Sequence, residues 1–134
     1  MDIEAVRDAV ANMLPEKYEP LLLTFYRKQI RLKGPLIAIG DDDGTTLCLD
    51  PSDGHIDSVD EKEQLPTRFI NSSLDQLQRC LNEYENIFVR GKDKDSLHIV
   101  AAFRSKLQTI DSAVFSSPEN WWSLIIEQLR HDGT

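Results

Sequence analysis

The chain has 134 residues, 23 acidic against 15 basic, and a formal net charge of −8. That length points to a single domain over residues 1–134 that buries about two-thirds of its unfolded surface without a disulfide or metal, and the acidic balance argues against direct nucleic-acid binding, which needs phosphate-neutralising cations. No apolar run approaches the ~20 residues of a membrane span, and Met1-Asp2-Ile3-Glu4 lacks the basic start and apolar core of a signal peptide, so the expected location is the cytoplasm.

Ile3, Val6, Val10, Met13 and Leu14 recur at helical spacing up to Pro15. Residues 17–33 stay open. Pro20 opposes a continuous helix, Leu21-Leu22-Leu23 with Phe25 suits a buried strand or one helical turn, and Gln29 to Lys33 alternates like a strand. A clear β signal follows. Leu36 to Ile39 is an apolar strand, Asp43-Gly44 a hairpin turn, and Thr45 to Leu49 the next strand. Pro51-Ser52-Asp53-Gly54 is a second turn, leading to a short strand through His55, Ile56 and Val59.

Helical patterns fill the second half. Ser73 and Gln76 form a capping box, the hydroxyl accepting the third amide while the glutamine reaches back. Leu74, Leu77, Leu81 and Tyr84 make the apolar face behind it. Leu97, Val100, Phe103 (or Arg104), Leu107 and Ile110 mark another helix, opened by Asp95 or Ser96. Ser117-Pro118 supplies an N-cap and a first-turn proline for a last helix with Trp121, Trp122, Ile125, Ile126 and Leu129, which Gly133 can end. Strands early and helices late predict an α+β fold, a central antiparallel meander packed against several α-helices. Cys48 and Cys80, one in a strand and one in an apolar-faced helix, read as buried thiols of a reducing compartment.

The negative charge is concentrated. Asp41, Asp42, Asp43, Asp50, Asp53, Asp57, Asp60, Glu61 and Glu63 are opposed only by Lys62, so residues 41–63 carry the equivalent of the whole net charge, −8. They lie in the turns and exit loop of the predicted meander, where fixed charge makes a field that partners feel. No pattern here is catalytic or metal-binding. A calcium loop needs oxygens at alternate positions and a glycine at the sixth; counting back from Gly44 puts Ile39 first, with no oxygen to offer. His55, His98 and His131 fall at no zinc spacing. Ser72 and Ser73 have no adjacent base, and no glycine loop suits phosphate. The expectation is a non-enzyme with no catalytic residues, metal or cofactor. Adjacent helical residues point about 100° apart. Trp121 and Trp122 therefore read as one core ring and one half-buried ring at the flank, against the alternative of an exposed partner anchor.

Several segments together resemble the SUKH superfamily of bacterial immunity proteins, whose fold is shared with a yeast cell-wall synthesis regulator. The closest match is an aromatic-Asn-Ser-Ser-Leu motif opening a helix, here Phe69-Ile70-Asn71-Ser72-Ser73-Leu74. Upstream stand Ile39-Gly40-Asp41 and the Asp50-Pro51-Ser52-Asp53-Gly54 turn; downstream stand Ile110-Asp111 and Trp121 or Trp122. The resemblance spans about residues 36–129. It implies an α+β scaffold that binds and neutralises a toxin, commonly a nuclease or deaminase, with Phe69, Asn71, Ser72, Ser73, Leu74 and the tryptophans as structural rather than catalytic residues. Asn71 reads as fixing the turn before the helix. The expected function is toxin neutralisation by direct association, the 41–63 acids covering a basic, nucleic-acid-binding cleft. The alternative is an intracellular regulatory or scaffold module with a non-toxin partner. On the plainest reading the acids only keep the chain soluble.

Overall fold

A computed structural model describes residues 2–91 and 97–132. The helix start expected at Asp95 or Ser96 and the stop at Gly133 lie outside the described residues. The fold is α+β; the described residues form four α-helices and one antiparallel sheet of seven strands. Helix α1 (Ile3–Met13) starts where the Asp2 carboxylate accepts the Ala5 amide at 2.8 Å, and it buries Val6 and Val10. It stops because Leu14, ahead of Pro15, is extended.

Residues 17–33 resolve into short pieces. Strand β1 (Lys17–Tyr18) is followed by a 3-10 turn (Glu19–Leu21), then β2 (Leu23–Phe25) and β3 (Arg31–Lys33). Pro20 sits inside the 3-10 turn, where its missing N–H costs nothing. The meander follows as β4 (Leu36–Asp41), β5 (Thr46–Leu49) and β6 (Ile56–Val59). An unforeseen strand, β7 (Arg68–Asn71), pairs with β6, so Phe69–Asn71 of the motif completes the sheet before the helix at Leu74 begins. The path runs β1-β2-β4-β5-β6-β7, with β3 also on β4.

The free edge of β4 is thus shared. β3 pairs with Leu36 to Ala38 and β2 with Gly40 and Asp41, and the β4–β5 register shifts between Ala38 and Gly40. Gly40 makes this possible. A Cβ there would lie 2.2 Å from the Thr24 carbonyl oxygen. At the hairpin the left-handed conformation falls on Asp43 (φ 68°), not on Gly44.

All the helices cover one face of the sheet. Helix α2 (Leu74–Tyr84) runs into a π turn (Glu85–Val89); α3 (Leu97–Ile110) and α4 (Trp121–Asp132) follow. Their inward side chains include Leu77, Cys80, Phe103, Leu107 and Trp122. Tyr84, Phe88, Phe103 and Trp122 pack edge-on or tilted with centroids 5.0–6.0 Å apart, the arrangement that ring quadrupoles favour. Against expectation, α4 begins at Trp121. Ser117 and Pro118 lie in the preceding turn, and the first helical bond runs from the Leu124 amide to the Asn120 carbonyl. Cys48 and Cys80 are both buried and unpaired, and burial pushes their thiols up to about 11 and about 12.

Replacing Gly40 by alanine should cost about 2 kcal/mol or more through overpacking against backbone. Gly44→Ala, where the nearest atom is 3.7 Å away, should stay within about 0.5 kcal/mol. Urea unfolding of both variants checks this; equal losses would place the tight strand crossing elsewhere.

Candidate functional site

The residues of the Phe69–Leu74 motif meet a carboxyl group from 40 positions away. Asp111 follows α3 and is 2% exposed. Its two oxygens accept four hydrogen bonds: from Asn71 Nδ2 at 3.0 Å, the Ser72 amide and the Ser72 hydroxyl at 2.8 Å each, and the Ala113 amide at 3.3 Å. Asn71 is fully buried, and its side-chain carbonyl accepts the Trp122 indole N–H at 2.9 Å. The network ties β7, the start of α2, the end of α3 and α4 together. A buried polar group without partners costs about 1–3 kcal/mol, and no buried side-chain nitrogen or oxygen among the described residues is left without one. Ser73 caps α2 as expected, accepting the Gln76 amide at 3.2 Å. Gln76 does not return to the Ser73 backbone. Its carbonyl takes the Ser73 hydroxyl, and its amide donates to the Ile110 carbonyl at 3.3 Å.

Both tryptophans are buried, Trp121 at 8% and Trp122 at 0% exposure, with their rings edge-on at 4.9 Å. They use their polar edges differently. Trp122 serves the buried network, whereas Trp121 donates to the Asp42 carboxylate at 3.0 Å. Neither the half-buried flank position nor the exposed anchor describes Trp121. It closes a contact between α4 and the β4–β5 hairpin.

The nine acidic residues do not form one surface. Strand pleating sends neighbours to opposite faces. On the helix-free face, Asp41 accepts the Tyr26 hydroxyl at 2.9 Å. Glu61 accepts the Thr46 hydroxyl at 2.8 Å and lies 2.9 Å from Lys33 and 3.2 Å from Arg31. Asp57 pairs in register with Cys48 on that same face. Asp42 points the other way, to Trp121. Several of these acids are committed to backbone. Asp42 holds the Gly44 and Thr45 amides, Asp50 the Ser52 amide, Asp53 the His55 amide, and Asp60 those of Lys62, Gln64 and Leu65. With the described residues, the side-chain carboxyls of Asp43, Asp57 and Glu63 make no hydrogen bond or ion pair.

Titration follows the same division. The Ser52 hydroxyl and amide hold Asp50 below the usual 3.8, three backbone amides hold Asp60 below it, and Lys33 with Thr46 holds Glu61 below 4.5. Asp57 is shifted upward, first by burial and then by Asp53 and Asp50, against a lowering pull from His55. A carboxyl whose folded pKa is raised binds its proton more tightly in the native state, so its ionisation destabilises the fold at neutral pH. Among the described residues, no three His, Cys, Asp or Glu side chains converge to hold a metal.

The model of the SUKH-4 immunity protein family matches residues 31–128, from β3 into α4. No curated protein and no solved structure matches the chain. No described helix is long and apolar enough to cross a membrane.

Asn71→Ala and Asp111→Ala should each cost about 2–3 kcal/mol by stranding buried donors or acceptors, and the double variant should lose clearly less than the sum because both act on one network. Additive losses in urea would contradict this. Asp57→Asn should raise the urea midpoint at pH 7 and lose that gain at pH 3, where the wild-type carboxyl is protonated. The same gain at both pH values would show that its charge is not the cause.

Proposed function

The chain belongs to the SUKH-4 immunity protein family, and on that premise we propose that it protects the cytoplasm by binding a cognate bacterial toxin directly, without catalysis. The family match supports immunity. The charge supports the kind of toxin. Residues 41–63 sum to −8, and Asp42, Asp50, Asp53 and Asp60 are fixed on turns by their own Asp-to-amide hydrogen bonds, so their share of the negative field is presented at little ordering cost on binding. Its complement is a basic protein surface, as on a toxin whose cleft holds nucleic acid. Carboxylates there occupy the place of phosphates and block the substrate's path. Such complementarity raises association rates toward ~10⁸ M⁻¹s⁻¹ at low salt.

Co-expression with the toxin domain encoded beside this gene should restore growth; cell death at the unprotected rate would refute the reading. Replacing Asp43 and Asp57 by asparagine and Glu63 by glutamine removes charges whose carboxyls make no hydrogen bond or ion pair with the described residues. Association should slow about tenfold at 50 mM salt and its salt dependence should flatten. Unchanged rates would assign recognition to other groups.

A further inference from the structure

Helix α4 lies beside a groove with two arms. One arm, about 280 Å³, separates α4 from the 3-10 turn and has Pro20, Leu22 and Leu129 on its walls. The other, about 180 Å³, separates α4 from the β6–β7 loop and has Leu65, Pro66 and Leu124. Both arms include Asp42, Trp121, Ile125 and Gln128, so they meet above the Asp42–Trp121 hydrogen bond. Leu22, Leu65 and Leu124 are exposed by 62%, 55% and 42%, although burial of such side chains is the usual outcome. Exposed apolar side chains gathered along one groove mark an interaction surface more often than scattered leucines do.

The first arm is also acidic. Asp42 and Asp132 line it, and among the described residues no Lys, Arg or His does. Asp43 follows Asp42 at the hairpin tip. On the wall of this arm Leu22 is held in the left-handed region at φ 57°. A leucine rarely adopts that conformation, and such strain clusters at ligand-contacting sites. The 3-10 turn and Leu22 also lie outside the 31–128 family match, so this wall belongs to the chain's own surface rather than to the matched scaffold.

We infer that this groove is where the toxin docks, through a basic segment whose apolar side chain enters between Leu22 and α4 while a flanking Lys or Arg meets Asp42, Asp43 and Asp132. This rests on the neutralisation proposed above. Charge selects the occupant. A second copy of this chain, itself −8, or an anionic lipid surface would bring like charge to an arm lined by carboxylates.

The test uses the full chain and the toxin domain encoded beside its gene. Leu22→Gly removes the exposed side chain and suits the left-handed backbone, so thermal stability should hold or rise. Affinity should fall at least tenfold, as it should for Leu124→Ser. Leu97→Ser, an equally exposed leucine on α3, should bind within twofold of wild type. Deuterium exchange of the complex should slow at residues 20–24 and 121–128. Wild-type affinity in both groove variants, with protection elsewhere, would overturn the groove and leave neutralisation standing. No binding by the wild type would overturn both. A dimer of the free protein that Leu22→Gly dissociates would assign the groove to a second copy and overturn the inference.

Discussion

Everything on the helical side of the sheet depends on how the Asp111 carboxyl is satisfied. Burying it at the end of α3 is tolerable only because Asn71, Ser72 and Ala113 bring four donors to its two oxygens. Those donors belong to the last strand and the entry to α2, and Asn71 passes the connection to α4 by accepting from Trp122. Apolar packing is permissive about small rotations of a helix on a sheet. A set of mutually satisfied hydrogen bonds is not. The network therefore fixes the register of three helices against β7, and with it the position of α4 beside the hairpin.

From that fixed α4 the next contact follows. Trp121, one residue before the network's tryptophan, reaches Asp42 across the top of the sheet. Because Asp42 also holds the hairpin amides, the turn and the helix are locked together, and the groove inherits a rigid floor. The adjacent Asp41 faces away, toward Tyr26 on the helix-free side. The acidic stretch is thus divided by the pleat into a part that braces the sheet and a part that is displayed. Its local charge is also smaller than the sequence sum, since Glu61 is held by Arg31 and Lys33.

Much of this was legible in the sequence wherever one periodicity dominated. The meander, α1 and the apolar faces of α2, α3 and α4 follow from spacing alone. Residues 17–33 did not, because strands of two or three residues carry no period and their pairing depends on the Gly40 crossing. β7 was hidden by the helix motif that begins within it. Ser117-Pro118 reads as a helix start, but Asn120 donates back to the Ala113 and Val114 carbonyls, and the turn it closes delays the helix to Trp121. The role of Asp111 was invisible because Asn71 and Ser72, which supply three of its four donors, lie about 40 residues away. Only the rule that buried polar residues find partners could have prompted the search. Nor could composition say which carboxylates would bind backbone and which would stay available.

Asp111 organises the scaffold, which Trp122 reports on, and Trp121 floors the proposed docking surface. The two indole N–H signals in a nitrogen-15 spectrum report on these separately. On addition of the toxin domain, the Trp121 signal should shift strongly while that of Trp122 stays within its free-state line width. A shift confined to Trp122, with Trp121 unmoved, would contradict the account.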